Sequence, residues 1–580
     1  MNSKNAFVQR SIEVIEQWFS QLYYYSKSFS GLNDWCNYYF EDIYYELNES
    51  LQIAPYHPQF LSNLFSWCEV NSNSAGSNAI KKIIEREYNL LNWNGSSDSN
   101  EIKYLLGLQL LIIRNYKQSE KQQLFNDLEN NHGFDPFAKV QAIMGLCLDE
   151  SSLSSNLDSL ISSISEFNDF LASHNLNPVE YIYQRARLFK TLLNNPIFIA
   201  SNIGRTDLIE KILISFYEIQ SPAPCGSILM IFPNHLSQVV YCMGKERLTD
   251  QKDTQKLIIE LIDIENKAFN QFRLLKGGKN QNFEITGKDV GLIDLKHAKS
   301  YEAKLYELYN FKVIDDVVSR ADSMCQFDLN SFPIQALMLK SIGRTLPMNL
   351  SLSEKLEFPI IKKVLFWSGF SLTSQLETEA LKEIFQNGNI QFETHSEHES
   401  DIERFIERID QYDPDIIWIS SHGEYKHYEP NLSEIVFSES ESLDIRDFSK
   451  LNNNGTKRRL LFLNICEGGV HSQTGEFKNL GFPNLLTSAN QDVLSHLWMA
   501  ETNFAYVFGV LFAIGITDKA LNYIDAYSYA LSLALSSKTE ILEEINRSTT
   551  GLLDFKERLN NNDRTDWGNI ITTGSLAYYV

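Results

Sequence analysis

Two short segments carry residue types that could do covalent chemistry together: Ser420-Ser421-His422-Gly423-Glu424 and Leu463-Asn464-Ile465-Cys466-Glu467-Gly468-Gly469. A thiol becomes a nucleophile near neutral pH when a base about 3 Å away takes its proton, and imidazole is the side chain whose pKa suits that exchange. His422 and Cys466 are therefore read as a nucleophile dyad. Each follows an apolar run, Ile416-Ile417-Trp418-Ile419 in one case and Leu460-Leu461-Phe462-Leu463 in the other. Such runs read as buried strands, and the carboxyl ends of neighbouring parallel strands are where sites of open α/β sheets lie. The glycine after the histidine, and the pair after the cysteine, would let backbone amides come close to a developing oxyanion.

A metal cluster drawn from His422, His427, Cys466, His471 and His496 is the competing chemistry. It has no tight i, i+3 or i+4 pair and no CxxC, so it is set aside and no cofactor is expected. His427 and His471 read as loop residues, and His496 as a core histidine with its hydrogen bonds satisfied.

The elements that must position the pair begin after residue 360. Val364 to Trp367 reads as a first strand and Ile390 to Thr394 as a second. Ser374-Gln375-Leu376-Glu377 and Ser400-Asp401-Ile402-Glu403 have the pattern of capping boxes, each opening a helix; Gly388 ends the first. Residues 431 to 450, with Ile435 and Phe437 on one face, suggest a hairpin-like insertion between the two chemical segments. Val493 to Trp498 is a fifth strand. Strand, helix, strand units of this length imply parallel pairing through right-handed crossovers, with helices on both faces.

Ahead of this lies a different pattern. Residues 1 to about 350 read as helix after helix, with stripes such as Ile15, Trp18, Phe19, Leu22 and Tyr23, or Leu105, Leu108, Leu111 and Ile112. From Ala303 to Ala321 the spacing of Leu305, Leu308, Phe311, Ile314, Val318 and Ala321 resembles the two helices of a tetratricopeptide repeat; no second copy follows at the expected period. Pro347 and Pro359 bracket a polar link taken as the domain boundary.

Composition narrows the class of function. The chain of 580 residues is long enough for two or more domains. Its formal net charge of −23 argues against direct nucleic-acid binding, which needs clustered lysine and arginine. Seven dispersed cysteines without a CxxC pair read as reduced cytoplasmic thiols, and Met1 to Arg10 has no apolar signal core. The most apolar run, Phe504 to Ile516, is too short to span a bilayer that needs about 20 residues and reads as a buried helix.

The order of these segments resembles a known family: His-Gly at a strand end, a hairpin, a strand ending in Asn464-Ile465-Cys466-Glu467-Gly468-Gly469, then Asp492-Val493-Leu494-Ser495-His496-Leu497-Trp498. It is similar to the CHAT domain, a caspase-like and separase-like cysteine peptidase module, over roughly residues 360–580. The 44 positions from residue 422 to residue 466 are near the ~50 of caspase-type enzymes. Asp566-Trp567-Gly568-Asn569-Ile570 with Gly574 looks like the family's closing strand. Asn464-Ile465 departs from the family's usual Ser-Ala, and Glu501-Thr502 from its frequent Asp-Asp, which bears on the specificity pocket.

The fold class expected is α + α/β: an amino-terminal all-helical region over 1–350, resembling tetratricopeptide repeats, then a caspase-like α/β/α domain over 360–580 with a mainly parallel sheet. The resemblance implies Cys466 as nucleophile, His422 as general base and then acid, and the amides of Gly423 and Cys466 as oxyanion donors. Asn464 would line the S1 pocket, and Glu501 would select a basic P1 residue. It implies a regulated cytoplasmic endopeptidase that cleaves a protein partner such as a gasdermin, in bacterial immunity or programmed cell death. The helical region would receive an activating protein or ribonucleoprotein. No membrane partner is expected. The alternative is a catalytically inactive caspase-like scaffold.

Overall fold

In the computed structural model the described residues are most of 74–218, three strands and a few further residues between 228 and 264, and 295–580 with short interruptions, among them 467 and 470–480. The stripe at Ile15 to Tyr23 lies outside them. They fall into two compact units, one of the described residues before 174 together with those of 191–212, the other of the described residues of 174–190 together with those from 213 onward.

Helices dominate the first unit: α1 (Ser74–Leu90), α2 (Ser97–Ile112), α3 (Gln118–Asn131), α4 (Pro136–Leu146) and α5 (Glu150–Ser173). Asp135 starts α4 by accepting the Ala138 amide, with Pro136 holding the first turn. Leu153, Leu157, Leu160, Ile164, Phe167 and Leu171 form the buried stripe of α5. In α2 the expected stripe is only half right: Leu108 and Leu111 are buried, but Ile112 is 47% exposed. Lys121 is buried, and its ammonium donates to the carbonyls of Leu111 (2.5 Å) and Gly145 (2.7 Å), closing the carboxyl ends of α2 and α4.

The second unit departs from an all-helical reading of residues 1–350. β1 (Ile228–Pro233), β2 (Ser237–Cys242), β3 (Glu246–Gln251) and β4 (Ser323–Gln326) form a sheet in the order β3-β2-β1-β4, antiparallel except for the β1–β4 pair. Its β-branched and aromatic runs, Ile228 to Phe232 and Val239 to Tyr241, carry a strand signal that the surrounding helical periodicity obscured. The repeat-like stretch also resolves differently. A helix α6 (Leu295–Leu308) is followed only by a four-residue turn of helix, Asp315–Val318, and then by β4. Leu305, Leu308, Phe311, Ile314 and Val318 are nevertheless buried. Residues 346–350, expected as a linker, lie inside this unit: Met348 bridges in parallel to Met324 and to Tyr579.

The principal sheet has six strands: β5 (Lys363–Ser368), β6 (Gln391–Ser396), β7 (Ile416–Ser420), β11 (Arg459–Asn464), β12 (Gln491–His496) and β13 (Leu576–Tyr579), in the order β13-β12-β11-β7-β5-β6. All pairs are parallel except β12–β13. The three middle strands β7, β11 and β12 are buried along their whole length, as expected of a sheet covered on both faces. On one face Trp418 and Phe462 meet Phe512 of α10 (Thr502–Thr517); on the other Trp367 meets Phe405 of α9 (Ile402–Tyr412). α8 (Leu372–Asn387) packs with α10. The insertion is a second sheet of β8 (His422–Glu424), β9 (Glu434–Val436) and β10 (Ser442–Asp444), all antiparallel. β13 closes the principal sheet later than expected, because 570–573 is a turn of helix that precedes it. This is an α + α/β chain with a mostly parallel sheet in its carboxy-terminal part. No helix among the described residues is long and apolar enough to cross a membrane.

Candidate active site

β7 and β11 are adjacent and parallel, and the last residue of each, Ser420 and Asn464, are register partners. His422 and Cys466 each lie two residues past that pair, so both come to the same rim of the sheet. Their backbones meet there. Gly423 packs so closely on the carbonyl oxygen of Cys466 that a β-carbon could not be accommodated, and Ile465 flanks it. β8 then holds His422 opposite Val436, fixing the histidine segment from its other side.

Access differs among the cysteines. Cys147 and Cys325 are buried free thiols, whereas Cys466 is half-buried. Burial pushes the Cys147 thiol up to about 12, so it is inert as a nucleophile. His422 is exposed at the rim.

The glycines after Cys466 serve packing more than amide presentation. A β-carbon on Gly468 would strike the Ser495 hydroxyl, and the Gly469 amide donates to the His496 carbonyl at 2.7 Å. The turn therefore folds back onto the end of β12. The Gly469 N–H is thereby committed within the fold.

Two residues expected to select substrate have their polar atoms engaged elsewhere. Asn464 is 6% exposed; its amide nitrogen donates to Glu377 Oε1 at 2.8 Å, and its oxygen lies 2.9 Å from His496 Nε2. Glu501 caps α10, with Oε1 accepting from the Asn503 amide at 3.1 Å and Oε2 accepting from the Phe504 amide at 2.8 Å and Thr565 at 3.0 Å. Both were expected in a specificity pocket; a packed interior surrounds the first, and a helix end engages the second.

Sequence reasoning missed Glu377. The capping box expected at Ser374 to Glu377 does not form, because α8 already begins at Leu372. Ser374 instead donates to the Ser420 carbonyl at 2.9 Å and lies 3.0 Å from the Ser368 hydroxyl. Glu377, 1% exposed, bonds Ser420 Oγ at 2.5 Å as well as Asn464. Burial pushes its carboxyl up to about 8 against the pull of those hydrogen bonds, so it is held mainly neutral at pH 7. The signal was present: Glu377 falls in phase with Ala380, Leu381, Ile384 and Phe385, a buried stripe, and Gly509 opposite it is a glycine inside an apolar helix. The second expected box is off by one residue, with Asp401 as the cap.

His496 is the satisfied core histidine expected of it. Its Nδ1 lies 2.8 Å from the Ser575 hydroxyl, and burial pushes its pKa down to about 3. Because Asn464 presents an oxygen to Nε2, that nitrogen carries the proton and Nδ1 accepts from Ser575. One buried string of hydrogen bonds thus links the ends of β5, β7, β11 and β12: Ser368, Ser374, Ser420, Glu377, Asn464, His496 and Ser575. Among the described residues no group of His, Cys, Asp and Glu is arranged to hold a metal ion.

No curated protein matches the sequence. The family model described as the CHAT domain matches residues 355–512, a span that starts just before β5, contains His422 and Cys466 and ends within α10. With the parallel sheet, the inserted hairpin and the two rim segments in that span, the chain carries a CHAT domain over residues 355–512, and that domain family is peptidase-like.

Proposed function

We propose that the protein is a cysteine endopeptidase in which Cys466 is the nucleophile and His422 the proton carrier. The observation that supports this most is the register of Ser420 with Asn464, which brings both residues to one rim two positions further on. In the acylation step His422 takes the thiol proton and the sulfur bonds the scissile carbonyl carbon. The C–N bond then breaks as the imidazolium gives its proton to the leaving amine. Water, deprotonated by His422, attacks the thioester and releases the carboxyl product and the thiol. The amides of Gly423 and Cys466 are the proposed oxyanion donors. The substrate is a partner protein, and the amino-terminal region recruits it or receives an activator, in keeping with an effector of bacterial immunity.

The test is co-expression with the proteins encoded beside it, followed by mass spectrometry for new protein termini. A terminus that appears with wild type and is missing with both Cys466→Ala and His422→Ala supports the reading. No such terminus, together with thiol-probe labelling that ignores both substitutions, would leave a scaffold.

A further inference from the structure

We propose that Glu377 is a positioning residue for the Cys466–His422 pair, holding the ends of β7 and β11 in register through one side chain. The inference rests on the dyad reading above. Its carboxyl oxygens divide between two strands: Oε2 takes Ser420, two residues before the histidine, and Oε1 takes Asn464, two residues before the cysteine. A side chain that bonds the i−2 residue of each member fixes the separation of the strands from which both depart. Two residues on, each chain leaves the ladder and loses that constraint, so the last cross-link before the rim governs where the imidazole and the sulfur arrive.

The site is built for this group. Glu377 is buried against Gly509, where even a methyl group would collide with Oε1, so the carboxyl fills a recess made for it in α10. Among the described residues it has no cationic partner, and Tyr506 is the titratable group near enough to feel its charge. An uncompensated buried carboxylate is costly, and an apolar residue would be simpler if support were the only need. Its Oε1 accepts from the Asn464 amide and its Oε2 accepts from the Ser420 hydroxyl, a group that can equally take a proton from a neutral acid or a primary amide. Ser374 and His496 extend the cross-link to β5 and β12, so slack at Glu377 would reach four strand ends.

The test follows alkylation of Cys466 in the full chain by iodoacetamide from pH 5 to 10, read by peptide mass spectrometry, and needs no substrate. Wild type should titrate below the free-thiol value of about 8.5, and His422→Ala should return it there. Glu377→Ala should move the profile in the same direction, with the rate at pH 7 down about tenfold or more. Glu377→Gln, which keeps an acceptor and a donor in the same places, should retain the wild-type profile. Should Glu377→Ala fail to fold, Ser420→Ala removes one of the two tethers and should shift the profile likewise. A folded Glu377→Ala or Ser420→Ala protein with a wild-type profile overturns the inference even if its melting temperature falls. A wild-type thiol that titrates as a free one and ignores His422→Ala overturns the dyad reading, and this inference with it.

Discussion

Gly423 packs against the carbonyl oxygen of Cys466, backbone on backbone, leaving no room for a β-carbon. Relief would require β8 to withdraw from the turn after β11, carrying His422 with it. Gly423→Ala is therefore expected to cost about 1–3 kcal/mol of stability and to lower kcat/KM by about 10²-fold or more. Urea unfolding measures the first, and peptide cleavage the second. A variant with both values unchanged would show that the contact has no part in holding the pair.

If Cys466 and His422 act as one unit, their losses do not add. Each alanine variant should lose about 10⁴-fold or more in kcat/KM, and the double variant should lose no more than the worse single one. Additive losses in a kinetic cycle would mean that the two residues act separately.

The buried imidazole of His496 sets an acid limit on folding. Its pKa in the fold, about 3, lies below the unfolded value of 6.5, so the neutral ring contributes stability that is complete above pH 6.5 and is lost as pH falls toward 3. His496→Gln should be less stable than wild type at pH 7 by about 1–3 kcal/mol. The gap should shrink as pH falls to 4, in melting temperatures taken across that range. A constant gap would contradict a titrating His496.

Glu377 works in the opposite sense. Its pKa in the fold, about 8, lies above the unfolded value of 4.5, so its contribution is complete below pH 4.5 and is lost as pH rises to about 8. Glu377→Gln, which cannot ionise, should gain on wild type as pH goes from 5 to 8. Melting temperatures of the two proteins that stay parallel over this window would contradict a protonated buried acid.

At the far end of the sheet Arg458 meets Asp492 at 2.8 Å, with Tyr578 donating to the same carboxylate at 2.5 Å, all but inaccessible to solvent. Asp492→Ala should cost about 3–5 kcal/mol, because it leaves the guanidinium buried without its partner. Replacing both, as Arg458→Met with Asp492→Leu, should return most of that loss in urea unfolding. Equal loss in the single and double variants would assign the cost to packing instead.

The carboxy-terminal sheet was readable because its signals are local. Ile416 to Ile419 and Leu460 to Leu463 are apolar runs too short for helices, and the stripe of Ile402, Phe405 and Ile409 has helical spacing. The sheet between 228 and 326 was not readable: its parallel pair joins β1 to β4 across almost a hundred residues, and no local pattern announces such a partner. Capping boxes misled for a related reason. The motif Ser374 to Glu377 was present, but burial of Glu377 won over capping once α8 started a turn earlier.

By itself the sequence determined which residues could react, a thiol and an imidazole each just past an apolar run, and the order of the strands that carry them. Those properties follow from side-chain chemistry and hydrophobic period, both written along the chain. Only the tertiary structure decided what the supporting polar groups do. Asn464 finds Glu377 across 87 residues, and Glu501 turns to the amides of its own helix. A buried polar atom must take the nearest available partner, and which partner is nearest is set by how helices and sheet pack, not by position in the sequence.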